Sequence, residues 1–163
     1  MTLTSAQQLD LLANTIRYIY GLFAYIPEKG GDHWKTPREF MVDLGGDCED
    51  FAIFTYYLLV GLGFDKMKLR LAHVRTGLNM KQNHMILIVD VGGNDKYVLD
   101  NRLLAPIPLV DIGCDYLNSS KMRIIYSFNE SGLWVQDRFF AGRYPKKWGI
   151  VLKQGQSCIN QRL

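Results

Sequence analysis

The rhythm of apolar residues changes once along this chain, and that change narrows the fold to one class. Before Gly61 the apolar positions recur at helical spacing, and from Lys68 onward they fall into short β-type runs. Helices first and an antiparallel sheet afterwards predict an α+β domain rather than a doubly wound parallel sheet, in which the two would alternate.

Leu9, Leu12, Ile16, Ile19 and Phe23 predict an amphipathic helix from Thr4 to about Phe23, capped by Thr4 or Ser5 with a Gln three residues on. Thr36-Pro37-Arg38-Glu39 supplies a cap hydroxyl, a proline where its missing N–H is harmless, and a carboxylate at the third helical position. A short helix starts there and stops before Gly45-Gly46. After Asp47-Cys48-Glu49-Asp50, the run Phe51 to Val60 is apolar and aromatic on every side, which predicts a buried central helix. Strands are expected at Lys68 to Val74, His84 to Val91, Tyr97 to Leu99, Met122 to Phe128 and Leu133 to Val135, with Gly92-Gly93-Asn94-Asp95 as a hairpin turn. With 163 residues, 48% of them hydrophobic, the chain can fill one core and not two. Residues 1–163 therefore read as a single domain, its polar end fraying from about residue 155.

The formal charge is +3, with Lys and Arg dispersed among acids, so no phosphate-binding surface is implied and nucleic acid is not an expected partner. No basic n-region opens the chain, and Gln7, Gln8, Asp10 and Arg17 interrupt its first apolar positions. Neither a signal peptide nor a membrane span is read there; a cytoplasmic protein, or one whose leader has been removed, is expected. Cys48, Cys114 and Cys158 cannot all pair within one chain and lack zinc-ligand spacing.

Cys48 is placed at the first position of the central helix, with Asp47 as cap. Free N–H groups and the positive dipole end favour a thiolate there and could stabilise an oxyanion. His84 opens one strand of the expected hairpin and Asp100 closes the other. Pairing outward from Gly93 and Asn94 sets residue 84 opposite residues 102 to 103, so Asp100 is a near neighbour. A carboxylate on one imidazole nitrogen fixes the tautomer and leaves the other nitrogen to accept the thiol proton. His73 reads as a structural strand residue and His33 as an exposed loop residue. Three acids around Cys48 would raise the thiol pKa, against the dipole. Spacing leaves two readings open: Asp47, Glu49 and Asp50 merely cap and complement the helix, the simpler one, or their oxygens hold a hard cation such as calcium.

The segments His33-Trp34 with Thr36-Pro37 and Glu39, Gly46-Asp47-Cys48-Glu49-Asp50-Phe51-Ala52-Ile53, Asn83-His84-Met85, Val98-Leu99-Asp100-Asn101, and Tyr126-Ser127-Phe128-Asn129 with Gly132-Leu133-Trp134 resemble the bacterial transglutaminase-like cysteine proteinases. The likeness is to those that release biofilm adhesins. It implies a papain-like, transglutaminase-like core, a Cys48-His84-Asp100 triad, and calcium bound by Asp47 and Glu49. It further implies a periplasmic enzyme that cuts a large adhesin near its N-terminus at a paired-alanine site, restrained by an inner-membrane cyclic di-GMP receptor. The chain departs from the family where an alanine usually precedes the His-Met pair; Asn83 stands there instead. Two alternatives share the same groove: an acyl transferase of transglutaminase type, and a non-catalytic peptide-binding module. Trp134 is a core residue in the simplest reading and part of a partner surface in the other.

Overall fold

The computed structural model describes residues 3–112, 122–136 and 138–160. Helix α1 (Ser5–Leu22) begins with a reciprocal capping box: the Gln7 N–H donates to Thr4 Oγ1 at 3.2 Å, and the Thr4 N–H donates to Gln7 Oε1 at 2.9 Å. Its buried face carries Leu12, Ile16 and Ile19, as their spacing requires. Helix α2 (Pro37–Asp43) has the same device in Thr36 and Glu39, and ends where Leu44 turns left-handed at φ 57°.

Next comes a pair of two-residue strands for which no periodicity gives warning. β1 (Ala24–Tyr25) pairs in parallel with β2 (Gly45–Gly46). Gly45 sits at φ +150°, and a Cβ there would fall 2.0 Å from the Ala24 carbonyl oxygen, so only glycine allows the two backbones to meet. That contact fixes where α3 (Cys48–Gly61) starts, one residue after Asp47.

After Gly61 the chain is mainly sheet: β3 (Leu69–Thr76), β4 (Gln82–Gly92), β5 (Asp95–Leu99), β6 (Ile107–Pro108), β7 (Arg123–Phe128), β8 (Gly132–Val135) and β9 (Arg138–Ala141). All pairs are antiparallel, in the order β6-β5-β4-β3-β7-β8-β9. The β4–β5 turn is as expected, with Gly93 and Asn94 both at positive φ, the conformation a tight hairpin demands. The architecture is α+β.

One face of the sheet, through Leu69, Leu71, Leu87, Val89 and Phe128, packs against Leu12 and Ile16 of α1 and against Ile53, Tyr56 and Leu59 of α3. The other face buries Ala72, Val74, Ile86, Ile88, Val98 and Met122. A fourth helix, α4 (Lys146–Asn160), follows β9 and sinks Trp148 and Val151 into the main core. β6 and β9 are further elements the sequence pattern does not announce. Cys114 and the side chain of Cys158 lie outside the described residues, as do residues 161–163. Among the described residues no helix is long and apolar enough to cross a membrane.

Candidate active site

Cys48 is the first residue of α3, where the sequence pattern places it. The residues that hold it there are not equivalent, although they read as one acidic run. Asp50 is a structural clamp: 1% exposed, it accepts the Lys35 N–H at 2.8 Å and the Asp47 N–H at 3.2 Å. Burial raises its pKa to about 6, against the pull of those bonds. Asp47 occupies the N-cap by its backbone, but its Oδ1 is buried with no hydrogen-bond partner. Glu49 accepts the Cys48 thiol proton bond at 3.0 Å, and burial, together with the charge of Asp47, pushes it up to about 7.

The thiol itself is pushed well above its ordinary value, first by burial and then by the Glu49 carboxylate. A bond from the Met85 main-chain N–H works the other way. The helix N-terminus therefore does not by itself produce the expected thiolate, because a half-buried position and two acids outweigh it. Further negative charge lies close by: Glu28 acts on Asp47, and Asp32 reaches Glu49 while pairing with Lys147 and accepting the Trp34 Nε1–H at 3.1 Å.

His84 and Asp100 meet as the register predicts. Leu87 pairs with Leu99 and Ile88 with Val98, so extending the ladder sets residue 84 opposite residue 102, and Asp100 lies beside it. His84 Nε2 is 2.9 Å from Asp100 Oδ1, and both side chains are buried. Arg102, which sequence reasoning did not single out, completes the arrangement. Its main-chain N–H donates to Asp100 Oδ1 at 2.9 Å, its Nη2 to Oδ2 at 2.8 Å, and its Nε to both oxygens at 3.2 Å. Burial alone would raise the Asp100 carboxyl, yet the bonds from His84 and Arg102 hold it down at about 2. An acid followed two residues later by a basic side chain at a strand end is the signal that could have found Arg102.

Cys48, Glu49, His84 and Met85 line one open cleft, with Asp32, Trp34, His73 and Asn83 on its walls. With Nε2 engaged by Asp100, the His84 ring has Nδ1 left for a second partner. His73, read as structural, is a cleft residue; His33 is exposed and bonded to Glu39 at 3.2 Å. Trp134 is half-buried, between the Arg70 guanidinium at 4.2 Å and the Phe139 ring at 4.6 Å.

The donors around Asp47 suit a hard cation. Asp47 and Glu49 lie within hydrogen-bond reach of each other, and both have raised pKa values, which describes two carboxylates competing for one proton. Asp47 Oδ1 adds a buried oxygen with nothing to bind. Among the described residues no three His, Cys, Asp or Glu side chains are gathered as a cage, so main-chain or water oxygens would have to complete the set.

The family described as bacterial transglutaminase-like cysteine proteinase BTLCP matches residues 24–131, a span that holds Cys48, His84 and Asp100. Calcium-bound LapG of Legionella pneumophila is similar at 29% identity over 88% of this chain and 77% of that one, with a TM-score of 0.73. The EGTA-treated form of the same protein is similar at 28% identity over 88% and 76%, with a TM-score of 0.74. No curated protein matches the chain.

Proposed function

The chain belongs to the bacterial transglutaminase-like cysteine proteinases and is a cysteine protease of the LapG type; from that premise we propose that Cys48 is its nucleophile, His84 its general base and Asp100 the residue that orients the base. The observation that carries this reading is the buried 2.9 Å bond between His84 and Asp100 at the edge of the cleft that holds Cys48. The imidazole takes the thiol proton, and Sγ attacks the scissile carbonyl carbon. Negative charge passes to the carbonyl oxygen, which main-chain N–H at the start of α3 would receive. His84 then returns the proton to the departing amine, and water, deprotonated by the same ring, releases the acyl group.

Calcium is the cofactor we infer for Asp47 and Glu49, and when bound it would supply positive charge against the acids that raise the thiol pKa. Its support here is the orphaned Asp47 oxygen and the likeness to a calcium-bound relative. The substrate inferred from the family resemblance is a large surface adhesin, cut near its N-terminus at a paired-alanine site so that attachment ends. By the same resemblance the enzyme works in the periplasm under the control of an inner-membrane cyclic di-GMP receptor.

The test is mass spectrometry of a paired-alanine peptide library incubated with calcium and a small primary amine, beside Cys48→Ala. Cleavage that needs Cys48 is expected. Amine incorporation without cleavage would make the chain an acyl transferase, and an unchanged library, with peptides retained, a binding module.

A further inference from the structure

Asn83 stands next to the base, on the wall of the cleft, and its surroundings are organised. In the β3–β4 ladder His73 pairs with Met85 and Arg75 with Asn83, so His73 and Asn83 are diagonal neighbours on one face. In the β3–β7 ladder His73 pairs directly with Tyr126. The Tyr126 ring stacks on the imidazole with centroids 5.0 Å apart and an interplanar angle of 24°. Tyr126 Oη is 3.5 Å from His73 Nδ1, and His73 Nε2 is 3.3 Å from Asn83 Oδ1. The chain of contacts ends in the cleft of Cys48 and His84, a space of about 240 Å³.

We propose that Tyr126, His73 and Asn83 form a hydrogen-bond relay whose purpose is to aim the Asn83 amide N–H groups at a main-chain carbonyl of the bound peptide. The proposal rests on the protease reading for its substrate class. A neutral imidazole has one donor and one acceptor. The carboxamide oxygen facing Nε2 can only accept, so Nε2 carries the hydrogen and Nδ1 accepts the Tyr126 hydroxyl. Burial lowers the His73 pKa, which favours this neutral ring near pH 7. With Oδ1 turned back to His73, the Nδ2 hydrogens are the part of Asn83 offered to the cleft. An extended peptide brings a carbonyl to each residue it buries, and each needs a donor in place of water. A carboxamide there would recognise peptide backbone rather than any particular side chain. His73 and Tyr126 are then positioning residues, and Asn83 a binding residue.

The experiment measures binding of a fluorescently labelled dodecapeptide with a central Ala-Ala pair to the non-cleaving Cys48→Ala chain, with and without Asn83→Ala or the isosteric Asn83→Asp. Cleavage of the same peptide by the unaltered chain is followed in parallel, and the His73 tautomer is read from ¹⁵N–¹H correlations. Each Asn83 change is expected to weaken binding about three- to tenfold, the range of one neutral hydrogen bond. Tyr126→Phe should weaken it less, add little on top of Asn83→Ala, and shift His73 from the Nε2–H tautomer to a mixture. Unchanged affinity in the Asn83 variants, or an Nδ1–H tautomer in the parent, overturns the relay while cleavage leaves the protease reading standing. Binding that depends on Asn83 without cleavage of the peptide supports the relay and removes the protease reading. Absence of both binding and cleavage overturns both.

Discussion

At the scale of single residues, the site is built from charges that would be unfavourable alone. Asp100 carries a full charge in a buried position because three groups of Arg102 and one of His84 surround it. Its pKa of about 2 lies below the unfolded value near 4, so the folded state gains roughly 2 kcal/mol that is present above pH 4 and lost as the pH falls through 2. Arg102→Gln removes most of that depression. It is expected to cost about 1–3 kcal/mol at pH 7, because one side of a buried ion pair disappears. The difference in Tm from the parent should narrow between pH 5 and pH 2, and thermal melts across that range would show it. A constant gap would mean that Arg102 contributes packing alone. The sequence reveals the His84–Asp100 pairing because a Gly-Asn turn sets the register by counting. Arg102 stays hidden because its part depends on how the chain leaves the strand, which no alternation encodes. The split among the acids is hidden for a similar reason: Asp50 turns toward the Lys35 and Asp47 amides while Glu49 turns toward the thiol, and spacing treats them alike.

At the scale of elements, the parts that carry their own capping or turn chemistry are legible. α1, α2 and the β4–β5 hairpin begin and end within a residue or two of where Thr4, Thr36 and Gly93-Asn94 put them. The parallel β1–β2 pair is too short for any period, and its evidence lies in contact between glycine and a distant backbone. Gly46→Ala tests that part of the frame. A Cβ there would approach Asp50 Oδ2 at 2.3 Å and Asp50 Cβ at 2.5 Å, so Asp50 must leave the amides it holds. A loss of about 2 kcal/mol or more is expected, with slower alkylation of Cys48 by iodoacetamide as the start of α3 shifts. Unaltered melting and alkylation would show that Asp50 is dispensable. Helix α4 escapes the sequence pattern because Gly149 and Gly155 weaken it and its buried apolar face is narrow. What holds it is Trp148, fully buried with its ring 5.3 Å from that of Tyr56 and 5.8 Å from that of Phe128. Trp148→Ala should therefore cost about 3–5 kcal/mol, or roughly ten degrees in Tm for a chain of this size. A shift of only a degree or two would place α4 outside the cooperative unit.

At the scale of the whole molecule, a chain of net charge +3 gathers acids around Cys48: Asp32 and Glu49 line its cleft, Asp47 precedes it, and Glu28 acts on Asp47. Composition gives no hint of this, since it averages over surfaces that face different ways. If a cation relieves that crowding, millimolar calcium should raise Tm and speed Cys48 alkylation at neutral pH, and EGTA should reverse both. No response in either would leave Asp47 and Glu49 sharing a proton. The cleft also lies along the line where the two halves of the chain meet. His84 and Asp100 come together within one hairpin, whereas Cys48 arrives on α3 from the other side of Gly61, touching that hairpin through the Met85 N–H. Activity is in this sense a property of a seam. A molecule that drew only the first turn of α3 away from Met85 would silence the enzyme with the cleft unobstructed and the shared core intact, and release of that molecule would restore it without any covalent repair.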